Sequence, residues 1–372
     1  MATSHENRSK YSALFVGDIG FGEWYSERSG MELLRQKLAG EGYASCFRKL
    51  ENLIDGADFV VGNLEAPLSQ FPAETLKNRK RYVHWSSPAA AAEALANIGI
   101  DAVSVANNHA LDCGYDGLRQ TISLCRKRNI VAFGGGASIN EASIPLVKDI
   151  DVDGSPITLI IFGVYQYNKR YDSEFSWYAG HDKAGVCQIS VRNLRIFMKR
   201  IRESVKNPFF VIFPHWGADY KQASTDQIDI ARRLIDAGAD LIIGHGAHTI
   251  QELHNYAGKW IIYGIGNFVF NTPGRFLRYN APPYGLACKL EFLSNRKTHV
   301  ITLKLYPILT NNKTTGFESR PVFSEEFEES CSALLGDAGV MGPQVGHDGI
   351  GYYLSIPVSA SGPSGGPAAI SP

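Results

Sequence analysis

The chain has 372 residues, of which 44% are hydrophobic and 20% are charged, a composition typical of a folded protein with room for one large domain or two. Lysine plus arginine number 37, as do aspartate plus glutamate, which excludes the charge bias that would indicate a nucleic-acid or anionic-membrane partner. Residues 1–10 are polar, and no run of about 18 apolar residues occurs, so we expect no signal peptide and no transmembrane segment. These features favour a cytoplasmic protein that binds no nucleic acid.

Apolar runs of strand length recur from the start of the chain. Several are continuous rather than alternating, which is typical of strands buried on both faces of a sheet. The predicted strands comprise residues 13–16, 59–61, 102–105, 157–162, 209–213, 241–243 and 260–263.

Segments with helical periodicity lie between these strands. Ser87 followed by Pro88 predicts the start of a helix that Gly99 ends, and residues 115–128 form a second helix. Thr225 is the predicted N-cap of a third helix. This alternation of strands and helices predicts an α/β fold with parallel strands and with helices on the sheet faces.

The pattern changes towards the end of the chain. Residues 286–292 and 300–306 alternate between apolar and polar side chains and predict an antiparallel pair at an edge of the sheet. We expect a main domain over residues 11–310 and an extension over residues 311–357 that packs on it. Residues 358–372 are rich in glycine, proline and serine and are predicted to be disordered, because they bury too little apolar surface to offset the entropy of ordering.

The six cysteines are scattered, without the close pairs that build zinc sites. They are predicted to be free, buried thiols, as unpaired cysteines usually are in a reducing compartment. Their positions are Cys46, Cys113, Cys125, Cys187, Cys288 and Cys331.

Five polar clusters each follow a predicted strand. They contain Asp18; Asn63 and Glu65; Asn107, Asn108, His109 and Asp112; His215 and Trp216; and His245 and His248. If these strands run parallel, the clusters meet at one carboxyl edge of the sheet, where α/β folds bind ligands. Carboxylate, amide and imidazole donors suit Mn²⁺, Zn²⁺ or Fe²⁺. Each residue alone also has a structural explanation, such as a turn cap for Asp18 or a core hydrogen bond for His215, but together they predict one site.

Two further segments carry basic and aromatic side chains. Residues 165–178 contain Lys169 and Arg170 and are predicted to form a loop that selects substrate over the site, because these cations suit a phosphate or carboxylate group. The alternative is a surface loop that packs its aromatic rings inward. A second patch has the same two interpretations and consists of Arg79, Lys80, Arg81, His84 and Trp85.

The motifs around these residues resemble, in order and spacing, those of the CapA, or poly-γ-glutamate capsule synthesis, family. The resemblance extends over residues 13–309 and is carried by residues 17–18, 63–65, 106–114, 215–220, 244–251 and 263–270. The family is similar in fold to calcineurin-like metallophosphoesterases. The resemblance therefore implies a four-layer α/β/β/α sandwich with mixed sheets and with one or two divalent ions, Mn, Zn or Fe, above them.

The resemblance also implies roles for individual residues. The implied metal ligands are Asp18, Glu65, Asn108, His215 and His248. His109 stands where the superfamily places an acid beside the scissile group, and Asp112 is positioned to orient it. From the motifs and the basic segment together, we expect further ligand or substrate-binding residues among Asn63, Asn107, Trp216, Asp219, His245, Asn267, Lys169 and Arg170.

Three positions depart from the family pattern. Gly20 replaces a histidine that would bind one of two metals. The imidazole of His245 stands one position earlier than usual, and Asp219 replaces a glutamate. These departures leave the number of ions open.

Three functions fit the sequence. The leading hypothesis is a metal-dependent hydrolase that acts on a phosphate ester or on a glutamyl, peptide or polymer substrate in poly-γ-glutamate or capsule-type metabolism. The second is a metal-independent peptide or amino-acid epimerase, in which His109 and another histidine act on opposite faces of an acidic C–H group. The third is a non-catalytic assistant of a polymer synthesis complex. The sequence leaves the oligomeric state open.

Overall fold

Two mixed β-sheets pack face to face at the centre of the computed structural model, which describes residues 9–294, 299–336 and 342–358. The first nine strands in these residues are β1 (Lys10–Gly20), β2 (Phe59–Leu64), β3 (Ala102–Ser104), β4 (Val131–Phe133), β5 (Gly135–Gly136), β6 (Leu146–Val152), β7 (Ser155–Tyr165), β8 (Gly185–Val186) and β9 (Pro208–His215). The later strands are β10 (Leu241–Ile243), β11 (Leu253–Tyr256), β12 (Lys259–Ile262), β13 (Asn267–Phe270), β14 (Tyr284–Ser294), β15 (His299–Leu309), β16 (Arg320–Pro321), β17 (Gln344–His347) and β18 (Tyr352–Val358).

Helices lie between and outside these strands. They are α1 (Glu23–Ser26), α2 (Glu32–Gly40), α3 (Glu51–Asp55), α4 (Pro88–Asn97), α5 (Gly114–Lys127), α6 (Ile139–Ala142), α7 (Lys169–Phe175), α8 (Val191–Ser204), α9 (Thr225–Asp236), α10 (Phe276–Tyr279), α11 (Asn312–Thr315) and α12 (Ser324–Leu335). Two 3₁₀ helices span Tyr43–Leu50 and Glu74–Leu76. Among the helices of the described ranges, none combines the length and the apolar character that a membrane crossing needs.

The larger sheet has the strand order β17-β18-β15-β14-β1-β2-β3-β4, with β13 beside β1 and β16 beside β15. Strands β1 to β4 run parallel. The smaller sheet has the order β11-β12-β10-β9-β7-β6, and β7, β9, β10 and β12 are parallel. All seven predicted strands are confirmed within these two sheets.

Residues 286–292 and 300–306 do form an antiparallel pair, within β14 and β15, but their predicted place at a sheet edge is wrong. Strand β14 lies between β1 and β15, and β18 covers the other side of β15. The alternating polar residues meet ion-pair partners instead of solvent, as Glu291 does with Lys10 at 2.6 Å. The alternation indicated a polar sheet face rather than an unpaired strand.

The two sheets enclose one apolar layer, in which the ring centroids of Phe15 and Phe213 lie 5.9 Å apart. Helices α4 and α5 cover the outer face of the larger sheet, and α8 and α9 cover that of the smaller sheet. The molecule is therefore a mixed α/β, four-layer α/β/β/α sandwich, as the family resemblance implied.

Helix α9 begins one residue earlier than expected. Its N-cap is Ser224, not Thr225: the Ser224 Oγ accepts a hydrogen bond from the backbone N–H of Gln227, and the Gln227 side chain accepts one from the backbone N–H of Ser224. This reciprocal capping box satisfies two donors that a threonine cap one position later would leave unpaired.

The C-terminal part of the described chain joins the larger sheet through β18, which pairs with β15. The domain division near residue 310 stays a prediction. Val358 ends β18, and the disorder predicted for the remaining tail concerns residues 359–372, which lie outside the described ranges.

The cysteine prediction is confirmed. All six thiols are free, and each is buried except Cys331, which is half-buried. Burial raises the pKa of Cys113 to about 12, so this thiol, which lies beside the predicted site, stays protonated and is a poor nucleophile.

Candidate metal centre

The polar clusters come together at the seam between the two sheets. The strand ends that carry Asp18, Asn63 and His109 belong to or follow the larger sheet, whereas those that carry His215 and His245 belong to or follow the smaller one. The expectation that all five clusters share one sheet edge is therefore wrong. They converge because the carboxyl ends of both sets of parallel strands point to the same end of the sandwich.

Glu65 lies at the centre of this assembly. Its side chain is fully buried, and neither carboxylate oxygen has a hydrogen-bond partner within the described part of the chain. Three imidazoles surround its Oε1 atom: the Nε2 atoms of His109 and His215 lie 3.9 Å away, and that of His248 lies 3.8 Å away. Burial raises the pKa of Glu65 well above its usual range, and the charge of Asp18 raises it further. A buried carboxylate without a donor is costly, and a bound cation would remove this cost.

Two of these imidazoles are held through their other ring nitrogen. The Nδ1 atom of His109 lies 2.5 Å from Oδ2 of Asp112. The Nδ1 atom of His248 lies 2.9 Å from Oδ1 of Asn267. Metal-binding histidines are commonly oriented in this way, with the ligating nitrogen free and the opposite N–H bound to an oxygen.

The adjacent amides Asn107 and Asn108 differ in their bonding. Asn107 is saturated: its Nδ2 donates to Asn63 Oδ1 at 3.0 Å and to the Leu64 carbonyl at 2.8 Å, and its Oδ1 accepts from the His109 backbone N–H at 3.0 Å. The Oδ1 atom of Asn108 is buried without a partner in the described residues. Asn107 therefore acts as a scaffold, whereas the Oδ1 atom of Asn108 is available to a ligand.

A second donor group lies deeper, behind Glu65. One ligand atom each of Asp18, His215 and His245 lies within 4.8 Å of the other two. The His245 Nδ1 atom is 3.5 Å from Asp18 Oδ1 and 3.2 Å from His215 Nδ1. The amide of Asn63 enters the same space, because its Nδ2 is 2.8 Å from Asp18 Oδ1 and 3.3 Å from His215 Nδ1. Since Asn107 fixes the orientation of that amide, an N–H group already serves these acceptors. The geometry therefore favours the outer position beside Glu65 for a cation.

Charge is distributed unevenly around Asp18. Burial alone would raise the pKa of Asp18, but contacts with His245 and His248 hold it well below its usual range. Burial opposes protonation of His248, yet Glu65 and Asp18 raise its pKa well above the usual value. By contrast, burial lowers the pKa values of His215 and His245. The backbone of His248 is left-handed, with φ of 60°, a conformation that is uncommon for a residue with a side chain.

A buried network that the sequence did not predict supports His109. Lys80 Nζ lies 2.6 Å from Asp112 Oδ1 and 3.1 Å from His109 Nδ1. The His84 ring stacks on the His109 ring with centroids 3.4 Å apart, and the His84 backbone N–H donates to Asp112 Oδ2 at 2.6 Å. Burial lowers the pKa values of His109 and His84, which keeps both rings neutral. The basic and aromatic patch at residues 79–85 was the only sequence signal for Lys80 and His84.

Two departures from the family pattern have visible structural counterparts. A Cβ atom at Gly20 would lie 3.0 Å from the Phe270 ring, which occupies that space and stacks on His248 with centroids 4.8 Å apart. Gly246 has φ of +100°, and a Cβ atom there would lie 2.8 Å from the ring of His215. The missing side chain at position 246 thus lets His215 approach the backbone of the following loop.

The remaining predicted site residues lie in three different environments. Asp219 and Arg170 line the cleft above the centre, whereas Lys169 is exposed outside it. Trp216 is buried and donates through Nε1 to the Tyr263 carbonyl at 2.7 Å, which is a structural contact.

The loop predicted over residues 165–178 is in fact partly helical. Helix α7 occupies Lys169–Phe175, and the Asn168 side chain caps its first turn. Trp177 is buried and donates through Nε1 to the Asn107 carbonyl at 2.8 Å. Tyr165 and Tyr178 are also buried, as in the alternative interpretation, whereas Tyr167 is exposed. Asn168 is a typical N-cap residue, but the sequence analysis did not predict that it begins a helix.

Comparisons with known proteins agree with the family resemblance. A family model described as bacterial capsule synthesis protein PGA_cap matches residues 12–272. The PGA biosynthesis protein CapA of Bacillus subtilis is 29% identical over 262 residues, which are 70% of this chain and 63% of that protein. The capsule biosynthesis protein CapA of Bacillus anthracis is 26% identical over 274 residues, which are 72% of this chain and 61% of that protein. The chain thus spans less than two thirds of the length of these curated relatives.

Among solved structures, the calcineurin-like phosphoesterase YfkN from Bacillus subtilis aligns with a TM-score of 0.49 and 13% sequence identity. The alignment covers 87% of this chain and 98% of that one.

Proposed function

This chain belongs to the bacterial capsule synthesis protein family PGA_cap, and we propose that it is a metal-dependent hydrolase in poly-γ-glutamate or capsule-type polymer metabolism. The observation that carries the proposal is the set of unpartnered acceptors at the candidate centre. Both of its carboxylate oxygens and the Asn108 amide oxygen are buried without hydrogen-bond donors among the described residues. Such a set suits a hard or borderline divalent cation.

We assign the ion to the outer position, where Glu65, Asn108, His215 and His248 would hold it. Asp18 supports this set from behind through its 3.1 Å contact with His248 Nδ1. A bound divalent ion supplies Lewis acidity towards a scissile carbonyl or phosphoryl oxygen. The donor set fits Mn²⁺, Zn²⁺ or Fe²⁺.

His109 is the proton-transfer group in this proposal. Its 2.5 Å contact with the Asp112 carboxylate places the imidazole proton on Nδ1 and leaves the Nε2 lone pair towards Glu65 and the cleft. A neutral ring in this tautomer accepts a proton from an attacking water and then returns it to the leaving group. Lys80 and His84 act as positioning residues, because they fix Asp112 and the plane of the ring.

The proposal is tested by hydrolysis assays on a γ-linked glutamate oligomer and on a generic phosphate ester. We expect one of them to be cleaved, the cleavage to stop after chelation, and activity to return with Mn²⁺, Zn²⁺ or Fe²⁺. His109→Gln should abolish turnover, whereas the exposed His181→Gln should retain it. Activity that survives complete removal of the metal would refute the proposal, and solvent deuterium entering the substrate α-carbon would indicate the epimerase instead.

A further inference from the structure

The centre opens into a cleft of about 330 Å³ whose rim is strongly basic. Four arginines line it, and they come from four separate chain segments: Arg28, Arg81, Arg170 and Arg275. Within the described residues that line the cleft, Asp219 is the one carboxylate. Because the whole chain has equal numbers of acidic and basic residues, this excess of positive charge is local.

Arg275 is the most firmly held of these cations. Its guanidinium forms an ion pair with Asp219 and lies 5.4 Å from the ring centroid of Tyr82 and 5.2 Å from that of Tyr220. These contacts restrain a side chain that still exposes 27% of its surface. Since a guanidinium has five N–H donors, Asp219 leaves several of them for a ligand.

Arg28 and Arg81 differ from Arg275, because neither forms an ion pair with a carboxylate in the described ranges. Each is instead placed by a neighbouring ring: Arg28 lies 4.8 Å from the centroid of Tyr25, and Arg81 lies 5.2 Å from that of Tyr82. Arg170, in contrast, already binds Glu174 at 3.2 Å. The cleft therefore presents two cations without a counter-charge and a third whose guanidinium keeps donors to spare.

Aromatic contacts connect this rim to the candidate metal centre. The Tyr220 ring lies 5.7 Å from the His248 ring, and the Tyr25 ring lies 5.6 Å from the His84 ring, which stacks on His109. A ligand bound by the rim arginines thus lies next to a continuous row of aromatic rings that leads to the reacting groups.

We propose that Arg28, Arg81 and Arg275, with Tyr25, Tyr82 and Tyr220, form an arginine–tyrosine subsite that binds an anionic group of the substrate beyond the reacting bond. The subsite selects chains with repeated negative charges over small monoanions, because planar guanidinium groups pair well with carboxylates and phosphates. The inference rests on the proposed function for the reacting bond, but the binding itself does not require catalysis.

The test is calorimetric titration of the full chain as purified with two probes, a γ-linked tetraglutamate and inorganic tripolyphosphate. We expect at least one to bind, with a Kd that rises with salt, and the tighter probe identifies carboxylate or phosphate as the natural group. Arg275→Gln should weaken binding by about tenfold, as expected for the loss of a charge-assisted hydrogen bond. The matched control is Arg278→Gln, in the short helix α10 that directly follows Arg275 but outside the cleft lining, which should bind as the unchanged chain does.

A second variant separates direct binding from an indirect effect of Asp219. Removing Arg275 exposes that carboxylate to the ligand, whereas Arg81 has no such partner in the described chain, so Arg81→Gln should weaken binding without adding repulsion. The subsite is refuted if neither probe binds, if Arg81→Gln and Arg275→Gln bind as the unchanged chain does, or if Arg278→Gln weakens binding as much as they do.

The variant Glu65→Gln distinguishes failure of this inference from failure of the proposed function. If the subsite is correct, Glu65→Gln still binds the probe with its arginine dependence intact, even when hydrolysis is absent. Hydrolysis without any arginine dependence of probe binding would support the proposed function and overturn the subsite.

Discussion

Gly246→Ala is predicted to damage the candidate centre through His215 alone. The substitution places a Cβ atom 2.8–2.9 Å from three atoms of the His215 ring, where ordinary contact begins at 3.4 Å. The ring must therefore retreat by about 0.6 Å, a displacement comparable to the tolerance within which functional side chains must be held. Alanine at a positive φ adds backbone strain of about 1–2 kcal/mol.

The matched control is Gly258→Ala, in the turn between β11 and β12. Gly258 has φ of +75°, and a Cβ atom there would meet no atom of the described residues within 4 Å. It therefore carries similar backbone strain without any contact with the site. Gly258→Ala should lose about 1–2 kcal/mol in the free energy of unfolding, measured by urea denaturation. Gly246→Ala should lose this amount and about 1–3 kcal/mol more, because the buried His215 ring must move.

Metal affinity should separate the two variants. We expect Gly246→Ala to bind Mn²⁺ or Zn²⁺ about 10–100-fold more weakly than Gly258→Ala, the range seen when a ligand loses its orientation. Titration of the metal into chelator-treated protein measures the difference. Equal metal affinity in the two variants would refute the placement of His215 in the ligand set.

The remaining predictions concern contacts away from the ligands. Lys80→Met leaves the buried carboxylate of Asp112 without its cation and should lower the free energy of unfolding by about 3–5 kcal/mol, measured by urea denaturation. An unchanged urea midpoint would contradict a buried ion pair. Burial alone would raise the pKa of Glu318, but the ammonium of Lys37, 2.5 Å away, lowers it below the usual value. The ionised carboxylate therefore stabilises the fold at pH values above the unfolded pKa of about 4.5. This stabilisation is lost as the pH falls through the lower pKa of the folded state. The stability difference between Glu318→Gln and the unchanged chain should therefore shrink on acidification, and a difference independent of pH would argue against the pair. Ser224→Ala removes the N-cap of α9 and should lower the free energy of unfolding by about 1 kcal/mol, whereas Thr225→Ala should have little effect.

The strands were predictable because the sandwich buries the parallel strands on both faces, and burial on both faces leaves a continuous apolar run in the sequence. Residues 241–243 form β10 with the predicted limits. The position of β14 inside the sheet was not predictable from the same information. Alternation of apolar and polar residues indicates that one face of a strand is polar, but not what lies beside the strand. The ion pairs of Glu291 with Lys10 and Lys304 show that charged partners from the neighbouring strands cover this polar face.

The candidate site shows a similar division. Asp18, Glu65 and His215 were predictable as a group because strand order determines where polar residues after strands meet. The contacts of Lys80 and Arg275 were not predictable, since the path of a loop across a cleft depends on tertiary interactions that leave no periodicity in the sequence. Their roles emerge only from their contacts with Asp112 and Asp219 in the structure.

Metal content tests the central claim most directly. After loading with Mn²⁺, Zn²⁺ or Fe²⁺ and extensive dialysis, elemental analysis of the full chain should find about one ion per molecule, and Glu65→Gln should find none, whereas the exposed Glu93→Gln should match the unchanged chain. No retained metal in the unchanged chain, or equal retention in Glu65→Gln, would contradict a metal centre at Glu65. Two retained ions per molecule would contradict the inference that the Asn63 amide, and not a second ion, occupies the space between Asp18 and His215.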